Sequence, residues 1–449
     1  MRIALFDNIN NNQYLLARFL HSIEVAADLY LPKQDFCTAT PEWEECAFAA
    51  DVVPNRYPKW AWLKVQNEWN RPTWIKEMPD LTWYRLPHAE WDPWIKEQEW
   101  KLNGRMKWRQ HNVVNAALRG LGINELSFHD TSRFFDIERW ARVARGYDLI
   151  QVQSYSVINC LLRYPSKPYV ILDYGQPLRS IVFEESTQGR LFRAAYQLAD
   201  AVVLLNPDTR DAAEKLGLKN YHFIGHPVDE EKYSPGSSPV RTKLEESYGR
   251  DVMVVFAPAR LEPAEKGIDK VLRAFSLLTS MQYGQSAVLI LIRWGDVEGT
   301  KRLIAELGIE SKVVWSELMS RTLMRDYYRA ADVILDQFVL DTPGRICFEG
   351  MACGKPIVTS FSSQAHAWCY PEPPPLCSSF GEKEILGWLE KLIREPALRK
   401  ELGWRGRRWI EKYFTGERTA RAYVDLYRNV LERGRQKALE QDRLRFRGR

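Results

Sequence analysis

At 449 residues, with 45% apolar and 27% charged side chains, the chain is too long for one ordinary core and reads as two globular domains. No apolar run is long enough to span a bilayer, and no low-complexity tract interrupts the globular composition. Much of the net charge of +5 sits in residues 432–449, where seven Arg/Lys face three Asp/Glu, so the nearly neutral remainder argues against a broad nucleic-acid-binding face.

The chain opens on a short buried strand, Ile3–Phe6, too brief for a signal peptide. The loop Asn8-Ile-Asn-Asn-Asn12 follows, with Asn12 placed to cap a helix that aligns Leu15, Leu16, Phe19, Leu20 and Ile23 on one face. The loop has no glycine, and asparagine's tolerance of left-handed angles serves the same turn. Residues 43–108 then hold ten of the seventeen tryptophans, with mixed periodicity. An elaborated insert over about 43–145 is expected, its tryptophans serving as core, as a platform for sugar rings or as a lipid-interface contact.

Regular alternation resumes at Asp148–Val152, followed by a helix, strand Tyr169–Leu172, a long helix through Ala199 and strand Ala201–Leu205. The Pro/Gly/Ser cluster 234–239 is the clearest linker. Beyond it, strands are expected at Val252–Phe256, Ala287–Ile292, Lys312–Trp315, Val333–Phe338 and Pro356–Thr359, with amphipathic helices between them. Continuously apolar strands alternating with helices predict parallel doubly wound sheets, covered on both faces. The expected organisation is a first domain over 1–230, a second over 240–415, and a terminal helix with a basic tail over 416–449. Ligands of such sheets bind at the carboxyl ends of strands.

Two segments carry chemistry. Around Asp341-Thr-Pro-Gly-Arg-Ile-Cys-Phe-Glu349, a helix is expected to open with Thr342 as cap and Pro343 in its first position. Gly354 closes it and Pro356 prevents its continuation. Its N-terminal amides and positive dipole end form a phosphate seat beside Asp341. Glu349 lies about 12 Å further along at 1.5 Å per residue, near the span from the ribose to the sugar of a nucleotide sugar. The second segment is the loop after the first strand of the second domain, carrying Arg260 and Lys266. A guanidinium fork and a mobile ammonium suit a diphosphate, and two surface cations in a connecting loop are the competing reading.

Seven cysteines without a CxxC pair or a metal-spaced histidine argue against zinc and favour reduced thiols in the cytoplasm. The basic end 432–449 is either a solvated helix terminus or a weak contact for anionic lipid head groups at the inner face of a membrane.

Together these motifs resemble the family-4 glycosyltransferases of the GT-B fold. Arg260-Leu with Lys266-Gly267 is similar to their phosphate loop, and Tyr328-Arg-Ala-Ala-Asp332 to the segment before their donor strand. Asp341 through Glu349 with Gly-Met-Ala-Cys-Gly-Lys-Pro looks like their donor helix. Gly225-His-Pro-Val-Asp229 with Tyr233-Ser-Pro235 resembles their interdomain segment, and Pro396 to Tyr427 their terminal helices. The resemblance spans about Tyr147 to Leu431.

It implies retaining transfer from a nucleotide sugar to a hydroxyl of a glycan or glycolipid in cell-surface polysaccharide assembly, with no obligatory metal and no cofactor beyond the donor. Arg260 and Lys266 would hold the diphosphate, and Asp341 the donor sugar. Glu349 would receive the ribose hydroxyls, and the amides of Gly344, Arg345 and Ile346 would complete the seat. Asp341 stands where the family carries Glu, and Pro343 lacks an N–H. His226-Pro227 replaces Asn-Gly, and Tyr174-Gly175 replaces His-Gly. A binding-only relative and a GT-B epimerase are the alternative readings.

Overall fold

The computed structural model describes residues 1–32, 37–47, 49–50, 69–78, 93–133, 143–162 and 167–447. Among these residues the first half has eight strands: β1 (Arg2–Phe6), β2 (Ala26–Leu31), β3 (Ala49–Ala50), β4 (Ile75–Glu77), β5 (Leu149–Val152), β6 (Tyr169–Asp173), β7 (Ala201–Leu204) and β8 (Tyr221–Phe223). Seven of them form one sheet in the order β4-β2-β1-β5-β6-β7-β8, parallel throughout. Its central strands are buried along their whole length, because each face is covered by its own apolar layer.

The second half contributes β9 (Met253–Ala257), β10 (Ala287–Ile292), β11 (Val313–Ser316), β12 (Leu318–Met319), β13 (Val333–Leu335), β14 (Ile357–Thr359) and β15 (Cys377–Ser378). Six of these build a second parallel sheet, β11-β10-β9-β13-β14-β15, again between two apolar layers. The reversal of strand order between β9 and β13 makes the carboxyl end of β9 a topological switch point, and the Arg260 loop leaves from there.

The closing helix Gly416–Arg447 returns to the first domain and packs on helix Asn12–Ser22. Tyr423 and Tyr427 are fully buried in the first domain's apolar layer, and the Tyr427 hydroxyl donates to Gln151 Oε1 at 2.7 Å. Two facing doubly wound domains fastened by a returning helix constitute the GT-B architecture.

The turn after β1 is made as its asparagines suggest. Asn10 and Asn11 adopt left-handed angles (φ 53° and 57°). The cap differs, since Asn11 precedes the helix and Asn12 is its first residue, donating from Nδ2 to the Ile9 carbonyl at 2.9 Å.

The tryptophan-rich stretch divides. Trp60, Trp62, Trp83 and Trp91 lie outside the described residues, and Trp94 and Trp100 fall on helix Pro93–Gly120. Trp69 and Trp74 pack beside Tyr14 of the first domain. Trp43 is instead buried in the second domain's core with Val228, Tyr233 and Met319. There β3 pairs antiparallel with β12, joining the two domains directly.

Candidate active site

The cleft is built from strand ends. After β9 the chain reaches Arg260, whose guanidinium pairs with Glu265 at 2.9 Å and lies over the Trp294 ring. A short helix, Pro263–Lys266, then closes at Gly267 in the left-handed conformation (φ 71°), which turns the chain back beside Phe338. This places Lys266 at the carboxyl end of β13. Its ammonium donates to Gln337 Oε1 at 2.5 Å, and Gln337 Nε2 donates in turn to the Thr342 carbonyl. A neutral amide thus ties Lys266 to the entrance of the helix carrying Glu349. Desolvation lowers the ammonium's pKa, and nearby Arg260 and Arg179 add to the effect.

The helix itself spans Arg345–Ala352 and begins later than its sequence suggests. Gly344 is the N-cap, with no side-chain cap bond, and the Thr342 hydroxyl is buried without a partner. Asp336 accounts for the shift. Its buried carboxylate accepts the Gly344 N–H at 3.0 Å and the Cys347 thiol at 3.1 Å, and burial pushes its pKa up. A Cβ on Gly344 would meet Asp336 Oδ2 at 2.8 Å. The Gly344 amide expected in the phosphate seat is therefore already engaged, and Arg345 and Ile346 supply the first helical amides. The left-handed closing turn falls at Gly354 (φ 73°), and the chain leaves into β14.

Asp341 lies just outside this helix and is partly exposed. Its Oδ1 accepts the Ser362 N–H at 2.7 Å. The buried His366 ring places Nε2 2.7 Å from the Asp341 carbonyl and 3.3 Å from its Oδ2, which calls for a proton on Nε2. These contacts orient the carboxylate without enclosing it.

Glu349, at the other end, has no exposed surface. Its Oε2 accepts from the Tyr328 hydroxyl at 2.8 Å and from Arg321 at 3.0 Å, and Arg345 Nε lies 2.6 Å from Oε1. The carboxylate expected to face ribose hydroxyls is covered by its own counter-ions. Arg345 reaches further, to the Asn10 carbonyl and Glu44 Oε1 of the first domain, each at 2.8 Å.

The first domain's face of the cleft brings Arg179 and Asp173, which its sequence did not single out, together with His226 and the asparagine loop, which it did. Arg179 follows the Gly175 turn (φ 105°) and is held in bidentate contact with Asp208, both bonds 2.8 Å. His226 is buried between Asn12 and Asn206, with its pKa lowered to about 3 by burial and then by Arg345, Arg179, Arg321 and Lys266. It is neutral at physiological pH. Asp173, at the end of β6, accepts from Gly175 N–H and the Tyr196 hydroxyl, and burial raises its pKa to about 6. Asp7, Asn10, Asn11 and Ser154, all non-glycine residues with positive φ, cluster just beyond β1 and β5. Backbone strain gathered at strand ends facing a cleft makes this turn a candidate ligand contact. His129 is exposed on the surface helix Phe128–Arg133.

Two doubly wound domains with a cleft at the switch point, and cations drawn toward it from both sides, have the GT-B arrangement. Residues 242–367 match the family model of glycosyl transferases group 1. The chain is 29% identical over 190 residues to mannosylfructose-phosphate synthase of Agrobacterium fabrum, an alignment covering 40% of this chain and 41% of that protein. It is 28% identical over 283 residues to a D-inositol 3-phosphate glycosyltransferase of Saccharomonospora viridis, covering 60% and 62% respectively. The chain therefore spans less than two thirds of these relatives' length.

Solved structures agree over nearly the whole fold. Sucrose-phosphate synthase from Thermosynechococcus elongatus superposes with a TM-score of 0.61 at 15% identity, covering 96% of this chain and 99% of that one. Anabaena HepE in complex with UDP and glucose gives 0.62 at 16% identity, covering 96% and 100%. These structures share the fold, and the matched segment is similar to glycosyl transferases group 1.

Proposed function

We propose that the protein is a glycosyltransferase that moves a sugar from a nucleotide-sugar donor to a hydroxyl acceptor with retention of configuration. The observation carrying this reading is the Lys266–Gln337–Thr342 chain, which fixes an ammonium at the switch point beside Arg260 and the N-terminus of the Arg345–Ala352 helix. Cations and helix amides converging there suit a departing diphosphate. The HepE complexes with UDP and with UDP-glucose lend support to a nucleotide-sugar donor for this fold.

In this mechanism Arg260 and Lys266 offset the charge growing on the leaving diphosphate. Asp341 accepts from hydroxyls of the donor sugar, and the amides of Arg345 and Ile346 face its phosphate. The departing phosphate takes the acceptor's proton on the same face of the sugar, so no separate nucleophile, metal or cofactor is required. The acceptor is a glycan or glycolipid of cell-surface polysaccharide, bound at the strained loops of the first domain. The basic end 432–449 gives weak contact with anionic lipid from the cytoplasmic side.

Asp341 in place of Glu, and Pro343 without an N–H at the sugar end of the seat, favour one second reading, a relative that binds nucleotide without turnover. A panel of nucleotide sugars with hydroxyl acceptors separates the two. Transfer with retained anomeric configuration is expected, and binding without transfer or donor hydrolysis across the panel would contradict the enzyme reading.

A further inference from the structure

A strap from the first domain crosses the cleft beside the donor helix. It runs through the turn Cys37–Ala39 and the single helical turn Glu42–Glu45 to β3, and it is held on the second domain at three levels. Trp43 is 3% exposed within the second domain's apolar core. The Glu44 carbonyl accepts from the Thr322 hydroxyl at 2.9 Å and from the Lys232 ammonium. Ala49 and Ala50 pair with Met319 and Leu318 in a two-residue ladder.

The Glu44 carboxylate, fully buried, lies 2.8 Å from Arg345 and 3.6 Å from Lys232. Those cations hold its pKa down to about 2 against the opposing effect of burial, so it stays ionised.

Two features make this contact exchangeable. One guanidinium, Arg345, serves two buried carboxylates, Glu44 Oε1 at 2.8 Å and Glu349 Oε1 at 2.6 Å, while its Nη2 is buried without a hydrogen-bond partner. The cluster thus shares one cation between two carboxylates and leaves part of that cation's donor capacity unused, a state in which buried ion pairs add little net stability. The ladder beside it is only two residues long, too short to hold by itself. Arg345, pinned by Glu44 and the Asn10 carbonyl, also lies against Glu349. A donor hydroxyl reaches Glu349 only if Arg345 moves, and the strap restrains Arg345.

We propose that the strap is a latch on the nucleoside end of the cleft, and that donor binding exchanges Glu44 for the donor at Arg345. Trp43 is the pivot that keeps the strap on the second domain while Glu44 swings away. Arg345, once released, turns its charge toward the diphosphate. The inference rests on the nucleotide-sugar reading and adds that the chain carries its own competitor for that site.

Nucleotide titration and hydrogen exchange on the full chain test it, with UDP, GDP and ADP as probes and Glu44→Gln and Thr322→Val as variants. Glu44→Gln is expected to tighten nucleotide binding about fivefold or more, the scale of a modest coupling between two sites. Without nucleotide, it should also speed amide exchange at Ala49, Ala50, Leu318 and Met319. Thr322→Val, which keeps the charge, should act in the same direction by a smaller factor and guards against misfolding of the first variant.

Unchanged or weaker nucleotide binding in both folded variants would overturn the latch. So would unchanged exchange at the ladder in Glu44→Gln. Failure of every nucleotide to bind even when the ladder is loosened would overturn the donor reading itself, and the latch's purpose with it.

Discussion

The two ends of the Arg345–Ala352 helix are built on opposite plans. At the phosphate end, Lys266 is tethered by a neutral amide, Arg260 pairs with a partly exposed carboxylate, and Asp341 is oriented by a backbone N–H and the His366 ring. Toward the nucleoside end, Glu349 is buried against Arg321 and the Arg345 side chain, which runs back from the first turn and also meets Glu44. The first arrangement leaves charge available to a ligand. The second neutralises its charges internally and ties the two domains together. One short helix therefore combines a ready anion seat with a closed electrostatic joint.

The contrast is broken most severely by Arg345→Ala. Removing it strips Glu44 and Glu349 of their shared buried counter-ion and should cost about 3–5 kcal/mol in urea unfolding. Arg260→Ala, which loses a pair with a partly exposed partner, should stay within about 1 kcal/mol. Equal destabilisation by both would erase the distinction.

Activity should show the reverse order. Lys266→Ala and Arg260→Ala should each lower donor turnover by about 10²–10³ with the circular dichroism spectrum unchanged. Asp341→Asn should raise KM for the nucleotide sugar while leaving inhibition by the free nucleotide intact, and parallel loss of both would move Asp341 out of the sugar subsite.

The joint should also respond to acid. His226 has a folded-state pKa near 3 against the usual 6.5, so the unfolded chain takes up its proton first. The stability it lends is present above pH 6.5 and is lost as pH falls toward 3. Glu44, lowered from 4.5 to about 2, adds a second loss in the more acidic window. Chemical denaturation between pH 7 and 4 should show the His226 slope, and His226→Gln should flatten it. The smallest effect expected is at the basic end, where deleting 432–449 should weaken sedimentation with anionic liposomes at low salt and leave turnover in solution unchanged.

Much of the fold was legible because buried parallel strands must be continuously apolar. The strands flanking Arg260 and Gly175 are where that pattern puts them. The site was less legible at strand ends. Reading 333–338 as one strand absorbed Asp336 and Gln337, although β13 stops at Leu335 and those two polar residues organise the donor helix and Lys266. A carboxylate and an amide directly after an apolar parallel strand were a usable signal for a cleft.

Thr342-Pro343 has the composition of a helix start, but the tertiary bond from Gly344 to Asp336 overrides it. Arg345 was legible only as an amide in the seat, and the reach of its side chain to Glu44 depends on how the domains dock. Glu44 and Arg179 carry no local pattern at all. Their roles come from partners distant in the chain, which no periodicity encodes.

Isothermal titration of a nucleoside diphosphate against wild type and Lys266→Ala tests the cationic seat most directly. The geometry predicts a measurable complex for the wild type and loss of most of that affinity in the variant, with both proteins folded. Equal affinity in the two would contradict the assignment of the Arg260–Lys266 loop as the diphosphate site.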